Sequence, residues 1–436
     1  MRKLIIRNGR VIDPATGLDA IRDVLIENGR IAGIGEKLHV TGAEKFDALG
    51  LVVTPGFIDM HVHLREPGFE YAETIETGSR AAAAGGFTSI CCMPNTSPVN
   101  DNATVTSYII ERAEKHAVVN VFPIGAITRN SAGEEMAAIG SMKQAGIVAI
   151  SDDGRPVMNA RVMRRAMETA RSFGIPVIDH CEDLHLSAGG DMHEGIQSVR
   201  LGLRGIPAAS EDVMVARDIL LAQLTGARFH VAHISSRHSV EMVAFAKARG
   251  LSVTSEATPH HFALSDDEMP PYDSNYKMKP PLRSACDVGT VTNGIVSGAI
   301  DAIATDHAPH AGSEKMQEFE KCPFGVIGLE TAIGLALERL VHPGNISLAR
   351  MVELFTTGPS GVLNLQRGRL AAGAHGDITI LDTERAWTYD VNKSASKSRN
   401  SPFHGHTFRG GPVATIVNGR IVWTAERLGV VASGAN

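Results

Sequence analysis

Thiols are scarce in this sequence. Five cysteines in 436 residues, Cys91, Cys92, Cys181, Cys286 and Cys322, are an odd number with no C-x-x-C pair, which excludes a disulfide framework and a thiolate zinc site. Reduced thiols in a cytoplasmic protein are the expectation. No apolar run approaches the ~18–20 residues of a membrane helix, and Met1-Arg2-Lys3 leads into a strand-like stretch rather than a signal-peptide core. Positive charge is not in excess either: 48 acidic against 42 basic residues leave a net charge of −6, so neither nucleic acid nor membrane is expected as a partner. With 43% hydrophobic and 21% charged residues the composition is that of a folded chain. Histidine is what stands out, at 18 residues, because imidazole is both a common metal ligand and a proton carrier near neutral pH.

The first fifty residues alternate apolar and polar positions, as in Lys3-Leu4-Ile5-Ile6-Arg7 and Asp23-Val24-Leu25-Ile26-Glu27, with hairpin-type turns expected at Asn8-Gly9 and Asn28-Gly29. The same pattern returns near the end, where Asp377–Leu381 and Ala414–Val417 precede Asn418-Gly419. Both termini are therefore read as one composite β domain, a small β-sandwich from 1–53 and 366–436, against the alternative of two unrelated sheets. From 54 to 365 helix-length segments ending in glycine alternate with eight short apolar runs: Phe57–His63, Phe87–Met93, Val118–Ala126, Ile147–Ser151, Pro176–His180, Phe229–His233, Leu251–Glu256 and Asp301–Thr305. That rhythm predicts an α/β fold, a (β/α)8 TIM-type barrel. A doubly wound open sheet would normally carry a glycine-rich phosphate turn after its first strand, where this chain has His61-Val62-His63.

In such a barrel the carboxyl ends of the strands converge on one mouth. Here they carry His61 and His63, Asn95, Asp152-Asp153, His180, His233, and Asp306-His307 with His310 just beyond. An H-x-H pair faces one side of a strand, but spacing alone is weak; His404-Gly405-His406 has it in a glycine-rich loop. Position at consecutive strand ends is what marks a metal site. The ligands exceed the four of one tetrahedral zinc, so a carboxylate bridging two ions is the expectation, with zinc favoured and manganese or cobalt able to use the same donors. Such a pair generates hydroxide near neutral pH and polarises a carbonyl, pointing to hydrolysis of an amide-like bond or its reversal.

The run Pro55-Gly56-Phe57-Ile58-Asp59-Met60-His61-Val62-His63-Leu64-Arg65-Glu66-Pro67-Gly68 resembles the strand-one motif of the amidohydrolase superfamily, and within it of the class I bacterial dihydroorotases. Met93-Pro94-Asn95-Thr96, Ser151–Gly154, His180–Asp183, His233–Ser236, Thr305–His310 and Pro323–Thr331 are similar to further motifs of that family. The resemblance implies that His61, His63, Asp153 and Asp306 hold one Zn2+ and Asp153, His180 and His233 a second, bridged by Asp153 and a hydroxide, where many relatives use a carboxylated lysine. It implies a paired contact from Arg65 to a substrate carboxylate, with Asn95, His310, position 279 and the backbone at Phe324-Gly325 completing the pocket. Asp306 is implied as proton shuttle in the reversible cyclisation of N-carbamoyl-L-aspartate to (S)-dihydroorotate, a step of pyrimidine biosynthesis. A homo-oligomer working beside aspartate carbamoyltransferase is implied as well.

One departure from the family pattern is Lys279, before Pro280-Pro281, where asparagine is common. Its ammonium either supplements Arg65 or points away while the backbone meets the ring. Asp59 is expected in a supporting role, His260-His261 to orient a loop, Cys181 to pack as a thiol, and 307–324 to close over substrate. The rivals are another cyclic amidase, acting on hydantoins, dihydropyrimidines or allantoin, and a catalytically silent scaffold for aspartate carbamoyltransferase. Arg65 and Asp153 weigh against the first, and the complete ligand set against the second.

Overall fold

The computed structural model describes residues 2–425; the last part of the expected C-terminal β segment, 426–436, lies outside the described residues. Lys3–Asp13 pairs antiparallel with Leu18–Glu27, which turns into Arg30–Gly35. The second turn is a hairpin at Asn28-Gly29, whose φ angles of 51° and 77° match the twist that two-residue hairpins need. Asn8-Gly9 does not reverse the chain. It forms a bulge inside one strand, with the register shifting between Ile6 and Gly9, and Asp23 accepts the Asn8 amide at 3.1 Å in place of a ladder carbonyl. Gly9 is required there, since an added Cβ would lie 2.4 Å from Val53 Cγ2.

Val52–Pro55 joins the two ends of the chain. It runs parallel to Lys3–Asp13 on one side and antiparallel to Ile378–Thr388 on the other, and the ladder continues through Thr407–Val417 to Arg420–Thr424. Leu4, Ile6, Val24 and Ile26 from the front share one core with Ile378, Ile380, Val413 and Ile416 from the back. Burying large aliphatic side chains contributes ~1.5–3 kcal/mol each relative to exposure, so neither end forms this core alone.

The middle of the chain closes a ring. Phe57–Val62, Phe87–Cys92 and Asn120–Pro123 are parallel neighbours, and single bridges from Gly125 to Ile150 and from Ile150 to Val177 insert the segment around Ile150 as the fourth member. Val177–Asp179, Phe229–Val231, Val253–Ala257 and Ala302–Ile303 follow in order. The Val62–His307 bridge and the His63 amide donating to His307 O at 2.9 Å seal the last strand to the first. Met60, Cys91, Ile124, Ala149, Ile178, Ala232 and Ala302 fill the interior, so the barrel is a packed core whose side chains converge only at its carboxyl mouth.

Outside, amphipathic helices cover the strands. Ala160–Ser172 buries Met163, Ala166, Met167 and Ala170, the i, i+3, i+4, i+7 stripe of a core-facing helix, and Asn159 caps it by accepting from the Arg161 and Val162 amides. Thr74, Asn102, Ser284 and Ser347 cap other helices the same way. At the amino end of the barrel Phe355 stacks on Phe57 at 5.3 Å and meets the edge of Phe87 at 5.8 Å. Among the described residues no helix is long and apolar enough to cross a membrane.

Candidate metal centre and substrate cavity

His61 and His63 leave the first barrel strand on one side, and each has its ring fixed from behind. His61 Nδ1 donates to Glu256 Oε1 at 2.7 Å, His63 Nδ1 to Asn95 Oδ1 at 2.9 Å, and His180 Nε2 to Glu182 Oε2 at 2.9 Å. The second nitrogen of each ring then faces inward, where a neutral ring would present its lone pair. Asp153 Oδ1 lies 3.4 Å from His61 Nε2, 3.7 Å from His233 Nε2 and 3.9 Å from His180 Nδ1. Asp306 Oδ1 is 3.0 Å from His63 Nε2 and 3.5 Å from His61 Nε2, and His180 Nδ1 and His233 Nε2 are 2.8 Å apart. All six side chains are buried.

These atoms fit a bound cation. His61 Nε2 and Asp153 Oδ1 are buried with no hydrogen-bond partner; with only Nδ1 of His61 protonated they would be two acceptors facing each other, an unfavourable arrangement in a dry interior that a cation, or a second proton on the ring, relieves. The spacings bracket the roughly 3.3 Å between ligand atoms around a tetrahedral ion with ~2.0–2.1 Å bonds. His61, His63 and Asp306 form one group of mutually close donors, and His61, Asp153 and His233 another. Burial alone would raise the Asp153 and Asp306 carboxyls, but the surrounding imidazoles outweigh it and hold both well below the usual range. Burial opposes a second proton on His61, yet the two carboxylates drive it well above its ordinary value, the same charge pairing that a cation would satisfy.

The backbone is pinned to present these groups. His233, Asp306 and Arg65 adopt left-handed conformations, φ 32°, 45° and 60°, which side-chain-bearing residues hold only when their surroundings over-determine them. Asp59 accepts from the His61 and Thr305 amides at 3.1 Å and from Thr305 Oγ1 at 2.5 Å, tying strand one to strand eight; burial pushes its carboxyl up to about 7 against those bonds. Asp152 accepts from the Ile127 and Thr128 amides, so its neighbour Asp153 is the carboxylate left for the centre.

Beside the centre lies a cavity of about 310 Å³ lined by Arg65, Asn95, Asp153, Arg155, His310 and Glu314, among others. Arg65 Nε donates to Pro309 O at 3.1 Å, and one of its terminal nitrogens lies 3.4 Å from His310 Nε2 on the cavity wall. His310 Nε2 donates to Phe324 O at 2.8 Å; burial, then the Arg65 charge, pushes its pKa down to about 3, so the ring is neutral. Gly325 has φ 132°, and a Cβ there would stand 2.8 Å from Ala308 Cβ and 3.0 Å from His310 Nε2. A larger groove of about 880 Å³, with Arg30, Asn120, Phe122 and Arg420 in its lining, lies at the start of the third barrel strand and holds none of these residues.

Lys279 turns from the cavity. Its ammonium lies 2.8 Å from Glu182 Oε1, the carboxylate that holds His180, and 5.2 Å from the Phe324 ring centre. His261 binds Thr258 Oγ1 at 2.7 Å and Pro280 O at 3.0 Å, fixing the loop that carries Lys279. Cys181 Sγ sits 3.6 Å from Asp179 Oδ2, with burial raising its pKa. His406 binds Glu338 at 2.8 Å, far from the centre in the fold. The segment 307–324 is tied down by two buried lysines: Lys277 Nζ donates to Phe319 O at 2.6 Å and Lys315 Nζ to Pro323 O at 3.0 Å. Sequence reasoning missed Glu256 and Glu182. A charged residue inside an otherwise buried strand was the available signal for Glu256, and its place two after His180 the signal for Glu182.

A family model described as "Dihydro-orotase-like" matches residues 50–239. The chain is 70% identical to a protein of Solibacter usitatus named dihydroorotase, over 97% of this chain and 98% of that one. It is 55% identical to a dihydroorotase of Pelotomaculum thermopropionicum, over 96% and 98%. Among solved structures it is similar to the L-hydantoinase (dihydropyrimidinase) of Arthrobacter aurescens, with a TM-score of 0.86 and 25% identity over 97% of this chain and 96% of that one.

Proposed function

The chain belongs to the dihydroorotase family, and from that premise we propose that it interconverts N-carbamoyl-L-aspartate and (S)-dihydroorotate plus water. It is a metal-dependent cyclic amide hydrolase. The donor set of imidazoles and carboxylates suits zinc; His61, His63, Asp153 and Asp306 would hold one ion, and Asp153, His180 and His233 a second. When bound, such a pair polarises a carbonyl and readies a water for attack near neutral pH.

The chain's own residues do the rest. Arg65 is half-buried, its guanidinium fixed by Pro309 O, and it grips the substrate carboxylate through its terminal nitrogens. Asn95, 2.9 Å from His63 and 3.5 Å from Asp153, sets the cavity wall between carboxylate grip and reacting carbonyl. Neutral His310 lines the cavity without adding charge beside Arg65, its Nε2 held by Phe324 O and the adjoining Gly325 amide by Lys277 O, so the Phe324-Gly325 backbone fixes the place of the ring in the wall. In hydrolysis the water oxygen bonds to the ring carbonyl carbon and the ring C–N bond breaks. Asp306, an ionised carboxylate at the start, takes the water proton and delivers it to the departing nitrogen; in synthesis the order reverses. Assembly as a homo-oligomer in the cytoplasm, beside aspartate carbamoyltransferase, belongs to the same proposal, and co-elution of the two purified enzymes tests it.

The observation that carries the reading is the convergence of six buried ligand side chains next to a cavity with a guanidinium in its wall. Dihydroorotate, dihydrouracil and hydantoin assayed on metal-analysed protein test it. Dihydroorotate should exceed the uncharged rings by at least a hundredfold in kcat/KM. Comparable turnover of dihydrouracil would overturn the substrate assignment, and protein that holds no divalent ion and is not reactivated by zinc would leave only the scaffold reading.

A further inference from the structure

We propose that Glu256 is a positioning residue that sets both the tautomer and the aim of His61 at the metal centre, and through one amide holds His233 in its left-handed conformation. It rests on the metal reading above. Glu256 lies within the seventh barrel strand, Val253–Ala257, and its side chain is wholly buried. One oxygen, Oε1, accepts from His61 Nδ1 at 2.7 Å and from the His233 amide at 3.4 Å. The other, Oε2, accepts from His230 Nε2 at 3.2 Å, and His230 Nδ1 in turn faces Thr254 Oγ1 at 2.8 Å. No lysine or arginine forms an ion pair with it among the described residues.

A carboxylate taken out of water without a cationic partner is costly unless its hydrogen bonds are filled, and here they are filled by one prospective ligand ring, the backbone of another, and His230. Because an acceptor at Nδ1 fixes the proton there, the His61 lone pair is confined to Nε2, the atom facing Asp153 and Asp306. His230 completes the device from the far side. Glu256 Oε2, which can only accept, sets the His230 proton on Nε2, and the Thr254 hydroxyl at Nδ1 can serve either tautomer of that ring.

The test reads zinc binding directly, by competition with a chelator of known affinity, on wild type, Glu256→Ala and Glu256→Gln, with the melting temperature of each metal-free protein alongside. Removal of such a partner typically weakens metal binding 10–100-fold, so Glu256→Ala should lose affinity by that factor. Glu256→Gln should stay within a few-fold, because its Oε1 still accepts from His61 while its amide nitrogen donates to a His230 that moves its proton to face Thr254. The zinc-loaded Ala variant should keep the wild-type KM. Wild-type zinc affinity in folded Glu256→Ala overturns the proposal, as do equal losses in Ala and Gln that follow the fall in metal-free melting temperature. If Glu256→Ala does not fold, Glu256→Asp, one methylene short of His61, serves: a tenfold loss supports the assignment and unchanged affinity refutes it. Wild-type protein without zinc affinity would refute the metal reading itself, whereas a failed substrate assignment leaves this test standing.

Discussion

Arg65→Met is the perturbation that most sharply separates carboxylate recognition from scaffolding. Of the guanidinium N–H groups, the one on Nε is spent on Pro309 O at 3.1 Å, and the terminal nitrogens, one of them 3.4 Å from His310 Nε2, still have N–H groups for a two-pronged contact to a carboxylate. Burial lowers the Arg65 pKa, partly offset by Asp306 and Asp153, so the charge sits in a poorly solvated site where an ionic contact is strong. A hydrogen bond to a charged group contributes ~1.5–3 kcal/mol. Two such bonds, less what water recovers in the opened cavity, give a loss of ~3 kcal/mol, or roughly 150-fold in kcat/KM. Methionine keeps the bulk and flexibility of the arginine stem, so the fold should be undisturbed. The assay follows the ring-opening of dihydroorotate and of dihydrouracil, which has no carboxylate, by the loss of ultraviolet absorbance. Dihydroorotate should lose roughly 150-fold and dihydrouracil less than about threefold, collapsing the preference between them. Equal losses on both substrates would show that Arg65 serves only to hold the Pro309 loop, and a loss under about fivefold on dihydroorotate would remove it from substrate recognition.

Asp306→Ala removes the proposed proton shuttle and should lower kcat by at least ~10²–10⁴-fold while circular dichroism stays that of a folded protein; near-normal turnover would contradict the proposed mechanism. His310, held down to about 3 against an ordinary value near 6.5, stays neutral in the fold while the unfolded chain binds a proton between those pH values, so stability falls as pH drops through that window. Urea unfolding of His310→Asn should show a shallower loss between pH 6.5 and 4 than wild type, by on the order of a kcal/mol or more; parallel curves would refute the sign. Phe355→Ala, which vacates the stack on Phe57 and Phe87, should cost ~3–5 kcal/mol in unfolding free energy, and a change under about 1 kcal/mol would show that the aromatic cluster does not hold the amino end of the barrel.

Most of the barrel was legible because its signals are local. Each strand announces itself as a short apolar run after a glycine-ended helix, and the chemistry-bearing residues stand at the strand ends, so their order in the sequence is their order around the mouth. Even the fourth strand, which makes only single bridges at Ile150, was visible as an apolar run. What was not legible depends on partners distant in sequence. Asn8-Gly9 has the composition of a hairpin turn, yet the strand passes straight through, since Asp23 offers the Asn8 amide a bond and Val53 leaves room only for a glycine. The side chain of Lys279 had two readings because its choice is made by Glu182, almost a hundred positions earlier. Glu256 escaped notice for a related reason: a single acidic residue in a strand has no pattern, and its purpose appears only when His61, 195 residues before it, swings into hydrogen-bonding distance. The disposition of 307–324 was likewise hidden, as the lysines that pin it come partly from outside the segment.

Anomalous diffraction at the zinc edge from crystals of the zinc-loaded enzyme addresses the centre most directly. Two peaks should appear, one among His61, His63 and Asp306 and one between His180 and His233, with Asp153 touching both. A single peak elsewhere, or none in protein that still turns over dihydroorotate, would contradict the account.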